Sequence, residues 1–125
     1  SDFFFLRADE PEIALEKIVS LISKRLPKFY RLNPIEEIQV LAPMKKGIIG
    51  TENLNRVLQQ TLNPQEDVLV HGGTRFGVFD KVMQIKNDYN KEVYNGDIGR
   101  IKKIDRAEQE LTVIFDEKEV IYPFM

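Results

Sequence analysis

Ile38-Gln39-Val40-Leu41-Ala42-Pro43-Met44-Lys45-Lys46-Gly47-Ile48-Ile49-Gly50-Thr51 is the stretch on which the reading of the fold turns. Ile38 to Ala42 is a short apolar run, which predicts a buried strand. Pro43 to Gly50 is a glycine-bounded loop, and Thr51 is placed to cap a following helix. Within that helix Leu54, Val57, Leu58 and Leu62 face inward, Asn55 and Gln59 share another face, and Asn63-Pro64 ends it. Upstream, Phe3-Phe4-Phe5-Leu6 predicts another buried strand. Asp9 and Glu12 have capping-box-like spacing, with Pro11 in the first turn, where its missing N–H costs nothing. Ile13, Ala14, Ile18, Val19, Ile22 and Leu26 then form one helical stripe, which is expected to stop near Leu26-Pro27. Strand, helix, strand, helix predicts a parallel βαβ unit with a right-handed crossover. Two strands make only part of a doubly wound sheet.

The texture changes over residues 66–77, where Gly72-Gly73-Thr74 reads as a linker or loop. Val78 to Lys86 reads as one strand and Ile98-Gly99-Arg100-Ile101-Lys102-Lys103-Ile104 as a second, after an Asn95-Gly96-Asp97 turn. Leu111 to Phe115 is a third, paired through a tight turn with Val120-Ile121-Tyr122. This predicts a small closed all-β barrel of the Src-homology-3 type. The expected division is an α/β piece over residues 1–70 and a barrel over 71–125.

The inventory excludes much chemistry. The 125 residues contain no cysteine and one histidine, which removes disulfides, thiolate nucleophiles, Cys-ligated zinc and a His-rich metal site. His71 has no serine beside it for a Ser-His-Asp site. No apolar run reaches a membrane span, and the N-terminus does not read as a signal peptide. A cytoplasmic location is expected. The missing initiator Met and the abrupt end at Tyr122-Pro123-Phe124-Met125 suggest a piece of something longer. Net charge is −2, yet residues 24–50 carry Lys24, Arg25, Lys28, Arg31, Lys45 and Lys46 against only Glu36 and Glu37. A local basic surface holds phosphates even when overall charge is mildly negative, although on charge alone solvated helix ends are the favoured account of the same lysines.

Two stretches carry candidate chemistry. The Pro43–Thr51 loop would lie beyond the carboxyl end of a strand, where open α/β sheets bind ligands, and it feeds a helix N-terminus that favours anions. It is no Walker A loop, because Gly-Lys-Ser/Thr occurs nowhere in the chain. A flexible surface turn is the competing account. The second stretch is Asp80-Lys81-Val82-Met83-Gln84 with Lys86-Asn87-Asp88-Tyr89 and Val93-Tyr94-Asn95-Gly96-Asp97-Ile98-Gly99. Its Asn, Lys and Tyr interleave as on surfaces that hold single strands by stacking, and also as in ordinary turns.

With both blocks in this order, the chain resembles the RecD-like DNA helicases of superfamily 1, the family of the exodeoxyribonuclease V alpha subunit. The first block, extended through Asn53-Leu54-Asn55, Leu58-Gln59 and Leu62-Asn63-Pro64, is similar to part of their second motor domain. The second block resembles the start of the barrel inserted there, with Phe79 standing where a glycine commonly precedes Asp-Lys-Val. The resemblance implies an ATP-driven motor moving 5′ to 3′ on single-stranded DNA, with ATP and magnesium bound by the full-length parent. It implies DNA-facing roles for Pro43, Met44, Lys45, Lys46, Gly47, Gly50, Thr51, Asn55 and Gln59, and for Lys81, Gln84, Asn87 and Tyr89 in the barrel. Partners would be single-stranded DNA, the remaining helicase domains and, for a nuclease complex, other exonuclease V subunits. No catalytic or metal-binding residue is assigned, and the chain alone is expected to be inactive as an ATPase. The alternative is a non-catalytic adaptor or RNA-binding module built on a small barrel.

Overall fold

The computed structural model describes residues 3–124. They form two compact units, one ending at Leu62 and the other beginning at Asn63.

The first unit is helical. α1 (Pro11–Ser20) starts with Pro11 in its first turn, but Glu10 occupies the cap position without a side-chain cap hydrogen bond. Asp9 pairs with Arg7 at 2.9 Å instead of capping the helix. The helix does not stop at Leu26-Pro27. It widens into a π-helical turn (Leu21–Arg25) and continues as α2 (Leu26–Tyr30). A proline inside an α-helix lacks an N–H and presses its ring on the preceding turn. In the wider turn the Leu26 N–H bonds the Leu21 carbonyl, a register shift that accommodates the ring. Arg31, in the left-handed region at φ 57°, ends the run. Ile22 is the buried member of the predicted stripe; Ile13 is exposed. α3 (Thr51–Leu62) packs on α1 and buries Leu54.

The expected parallel βαβ unit is absent from the described residues, where neither Phe3–Leu6 nor Ile38–Ala42 forms a strand. Phe3, Phe5 and Leu41 are largely exposed. Parallel strands occur almost only in sheets covered on both faces, and neither run belongs to a sheet among the described residues. Apolar composition signalled a strand without supplying its neighbours.

The second unit is all antiparallel. β1 (Leu69–His71) and β2 (Thr74–Phe76) form a hairpin closed by Gly72 and Gly73, both at positive φ, so the expected linker is a tight turn. The main sheet is a four-stranded meander of β3 (Lys81–Met83), β4 (Ile98–Asp105), β5 (Glu110–Phe115) and β6 (Lys118–Pro123). The predicted strand over 78–86 shrinks to β3 because Phe79 sits at φ 75°, which breaks extended backbone. That conformation favours glycine, a physical reason for glycine to be common at this position of the resembled pattern. Ile101, Val113, Val120, Leu69 and Val93 make the core.

The sheet consists of antiparallel hairpins, as a Src-homology-3-like domain requires, but its ladder does not close. β3 and β6 do not pair, and a side-chain bond joins them instead, the Tyr122 hydroxyl donating to Gln84 Oε1 at 2.6 Å. Hairpin and sheet enclose an apolar pocket of about 220 Å³ lined by Leu69, Phe76, Val82, Val113, Phe115 and Tyr122, among others. Asn63 belongs with this unit because its amide donates to the Val78 carbonyl and to Asp80 Oδ1, at 2.8 and 2.7 Å.

Candidate nucleic-acid interface

The Pro43–Thr51 loop is a compact structure held by its own backbone. Gly47 takes φ 95°, and the Gly50 N–H donates to the Gly47 carbonyl at 3.1 Å. Gly50 lies so close to the preceding turn that a Cβ there would collide with the Lys46 carbonyl. Thr51 is the first helical residue rather than the cap, and the cap position falls to Gly50, whose carbonyl accepts from Leu54. The first amides of α3 turn back on the loop: Thr51 N–H donates to the Met44 carbonyl at 2.9 Å and Glu52 N–H to Lys45 at 3.1 Å. Those groups would otherwise form the anion-attracting end of the helix. What this loop offers an anion is therefore its side chains. Lys45 and Lys46 are exposed and make no ion pair among the described residues. Pro43 and Met44 are exposed on the same loop, Asn55 is exposed on α3, and Gln59 one turn later is half-buried.

In the sheet unit the second candidate stretch folds into one braced loop. Asp88 and Val93 exchange backbone hydrogen bonds of 2.7 and 3.1 Å, which brings Tyr89 and Tyr94 to its two sides. Asn87 Oδ1 accepts the Asn95 N–H at 2.8 Å, and Asp97 Oδ2 accepts the Tyr94 N–H at 2.9 Å. Gln84 ties the loop to the sheet at four points: its N–H to Asp97, its carbonyl from Gly96, and its amide between Tyr122 and the Lys86 carbonyl. Gln84 and Asn87, both candidate contacts, are thus scaffold residues whose polar atoms are already engaged.

Tyr89 is left at the surface, 73% exposed, in an edge-to-face pair with Tyr94 at 5.7 Å between ring centres. Tyr94 belongs to the second candidate stretch but was given no DNA-facing role from sequence, although its five-residue spacing from Tyr89 across a turn was a usable signal. Lys86 beside them is exposed and has no ion pair among the described residues. Lys91 is committed elsewhere, donating to the Ile121 carbonyl at 2.7 Å over the Tyr122 ring. Burial pushes the Tyr122 phenol up, and the Asp88 and Asp97 carboxylates add to the effect. Lys81, on β3, is half-buried beside Arg100, and burial lowers its ammonium below the usual lysine range. The arrangement provides stacking surface with Lys86 as its exposed cation, and no group of acids or histidines is placed to hold a metal among the described residues.

A family profile described as the SH3 domain of ATP-dependent RecD-like DNA helicases matches residues 54–115. The ATP-dependent RecD2 DNA helicase of Deinococcus radiodurans is 46% identical over 81 residues, which cover 63% of this chain. The chain spans about 11% of that relative's length. No described helix is long and apolar enough to cross a membrane. The profile covers the braced tyrosine loop and most of the sheet, and with the identity to RecD2 it supports the chain as a fragment of a RecD-like helicase.

Proposed function

We propose that this chain is part of an ATP-dependent 5′ to 3′ DNA helicase of recombination or repair, and that it contributes contact surface for single-stranded DNA. Residues 1–70 would belong to the second motor domain and 71–125 to the barrel inserted in it. The partners would be the other domains of the same protein, with exonuclease V subunits as candidates, in the cytoplasm. The observation that carries the reading is the exposed Tyr89–Tyr94 pair on a loop that Gln84, Asn87 and Asp97 brace. Pre-ordered aromatic rings stack unpaired bases at little entropic cost, and Lys86, Lys45 and Lys46 supply charge for phosphates.

The residues present do not fit the nucleotide. A phosphate-cradling loop presents free backbone amides followed by Gly-Lys-Ser/Thr, whereas Thr51 and Glu52 spend their amides on Met44 and Lys45. ATP and magnesium are assigned to other segments of the parent, so the chain alone should not turn over ATP.

The test is fluorescence anisotropy with labelled oligothymidylate of roughly 15 nucleotides, within the usual range of single-strand site sizes. Binding should be weak and salt-sensitive, and Tyr89→Ala should weaken it about tenfold, as expected for losing one stacked base. Unchanged affinity in Tyr89→Ala and Tyr94→Ala, or no binding at low salt, would remove the basis of the proposal.

A further inference from the structure

The run Lys24-Arg25-Leu26-Pro27-Lys28-Phe29-Tyr30-Arg31, at the end of the N-terminal helix, takes no part in the surfaces described so far. All of its cations are exposed, and none forms an ion pair among the described residues. Phe29 and Tyr30 stand out from the same turn, 79% and 50% exposed, in an edge-to-face pair with ring centres 4.8 Å apart. Lys24 and Arg25 lie in the π-helical turn, Lys28 and Phe29 one turn on in α2, and Arg31 at the left-handed residue that ends the helix.

The simplest account of cations here is that they offset the negative end of the helix dipole. That end carries only about half a charge, which one lysine satisfies. Four like charges on adjacent turns repel one another. Glu37, close by in sequence, forms no ion pair with them among the described residues; its Oε1 accepts the Asn33 N–H at 2.8 Å. Helix capping also fails to account for a phenylalanine left in water.

We propose that the Lys24–Arg31 segment is a second contact for a single-stranded polynucleotide, with phosphates held by Lys24, Lys28 and Arg31 and a base stacked on Phe29 and Tyr30. Charge complementarity selects a polyanion. The ring pair selects one with unpaired bases, since a duplex hides its base faces and a carboxylate chain has none. This site lies in the helical unit, apart from the Tyr89 loop, and does not depend on it.

Binding of labelled oligothymidylate to the 125-residue chain distinguishes the outcomes. Phe29→Ala with Tyr30→Ala should lower affinity about tenfold and leave the salt dependence unchanged. Lys24→Gln, Lys28→Gln and Arg31→Gln together should flatten the slope of log affinity against log salt by about 2, at ~0.7 per phosphate contact on a single strand. These side chains are exposed, and unchanged far-ultraviolet circular dichroism confirms that the variants fold. Affinity within twofold of the parent in both sets overturns the proposal. So does competition by polyglutamate that matches DNA and ignores the Phe29 change, which would point to an acidic protein instead. If only Tyr89→Ala loses affinity, this site falls and the loop proposal stands. Loss confined to the Phe29 and lysine variants supports this site and removes the loop.

Discussion

Replacing Gly99 by alanine should destabilise the sheet unit more than its single added methyl suggests. Gly99 lies in β4, paired with Val82 of β3 on one side, while its neighbour Arg100 pairs with Ile114 of β5 on the other. A Cβ at Gly99 would stand 2.6 Å from the Ile114 carbonyl oxygen, 2.8 Å from Val113 Cγ1 and 3.0 Å from Phe115 Cδ1. Ordinary carbon–oxygen contact begins near ~3.3 Å, so β4 and β5 must part by about 0.7 Å. They cannot do so freely, because β4 is also held by β3 and Val113 is in the core. Overpacking of this kind costs about 1–3 kcal/mol. Alanine restricts the unfolded chain and returns about 0.4–1 kcal/mol, which leaves a net loss of ~1.3 kcal/mol. For a unit of this size that lowers Tm by about 5–10 °C. Tyrosine fluorescence during thermal or urea unfolding is the assay, since three of the four tyrosines lie in the sheet unit. Gly72→Ala is the comparison: its Cβ meets open space, so only its φ of 58° opposes the change, at about 1 kcal/mol. A Gly99→Ala loss no larger than that of Gly72→Ala would show that the strands do not approach as described.

Gly50→Ala should open the Pro43–Thr51 loop, because its Cβ would collide with the Lys46 carbonyl; trypsin should then cut after Lys45 and Lys46 several-fold faster, and an unchanged cleavage rate would contradict the close approach. At Phe79 the left-handed backbone sets the order of substitutions. Phe79→Gly relieves about 1 kcal/mol of strain and loses a ring that is over half exposed and 5.9 Å from Arg100, so stability should stay within about 1 kcal/mol of the parent. Phe79→Val puts a β-branched residue in the same conformation and should be the less stable by urea denaturation; the reverse order would mean that the positive φ is not what constrains this position.

Much of the sheet unit was legible before folding because its signals are local. Short β-branched runs at Ile98–Ile104 and Leu111–Phe115, and the Asn95-Gly96-Asp97 turn, specify antiparallel hairpins whose partners are next in sequence. The βαβ expectation failed for the opposite reason. Phe3–Leu6 and Ile38–Ala42 are apolar enough for strands, but strand formation depends on neighbours that apolarity does not name. The helix stop expected at Pro27 failed because a proline rule that assumes α geometry is overridden when the preceding turn widens.

The candidate surfaces divide in the same way. Residue order alone determined the family resemblance, the exclusion of thiol and Walker A chemistry, and the presence of Lys45, Lys46 and Tyr89. Only the tertiary structure decided which of these groups remain available. Tyr122, far along the chain, occupies Gln84, while hydrogen bonds closed within the folded loops occupy Asn87 and the first amides of α3, and Tyr89, Tyr94, Phe29 and Tyr30 stay in solvent. A side chain's type sets the contacts it can make, but whether it has already made them depends on which chain segments the fold brings beside it.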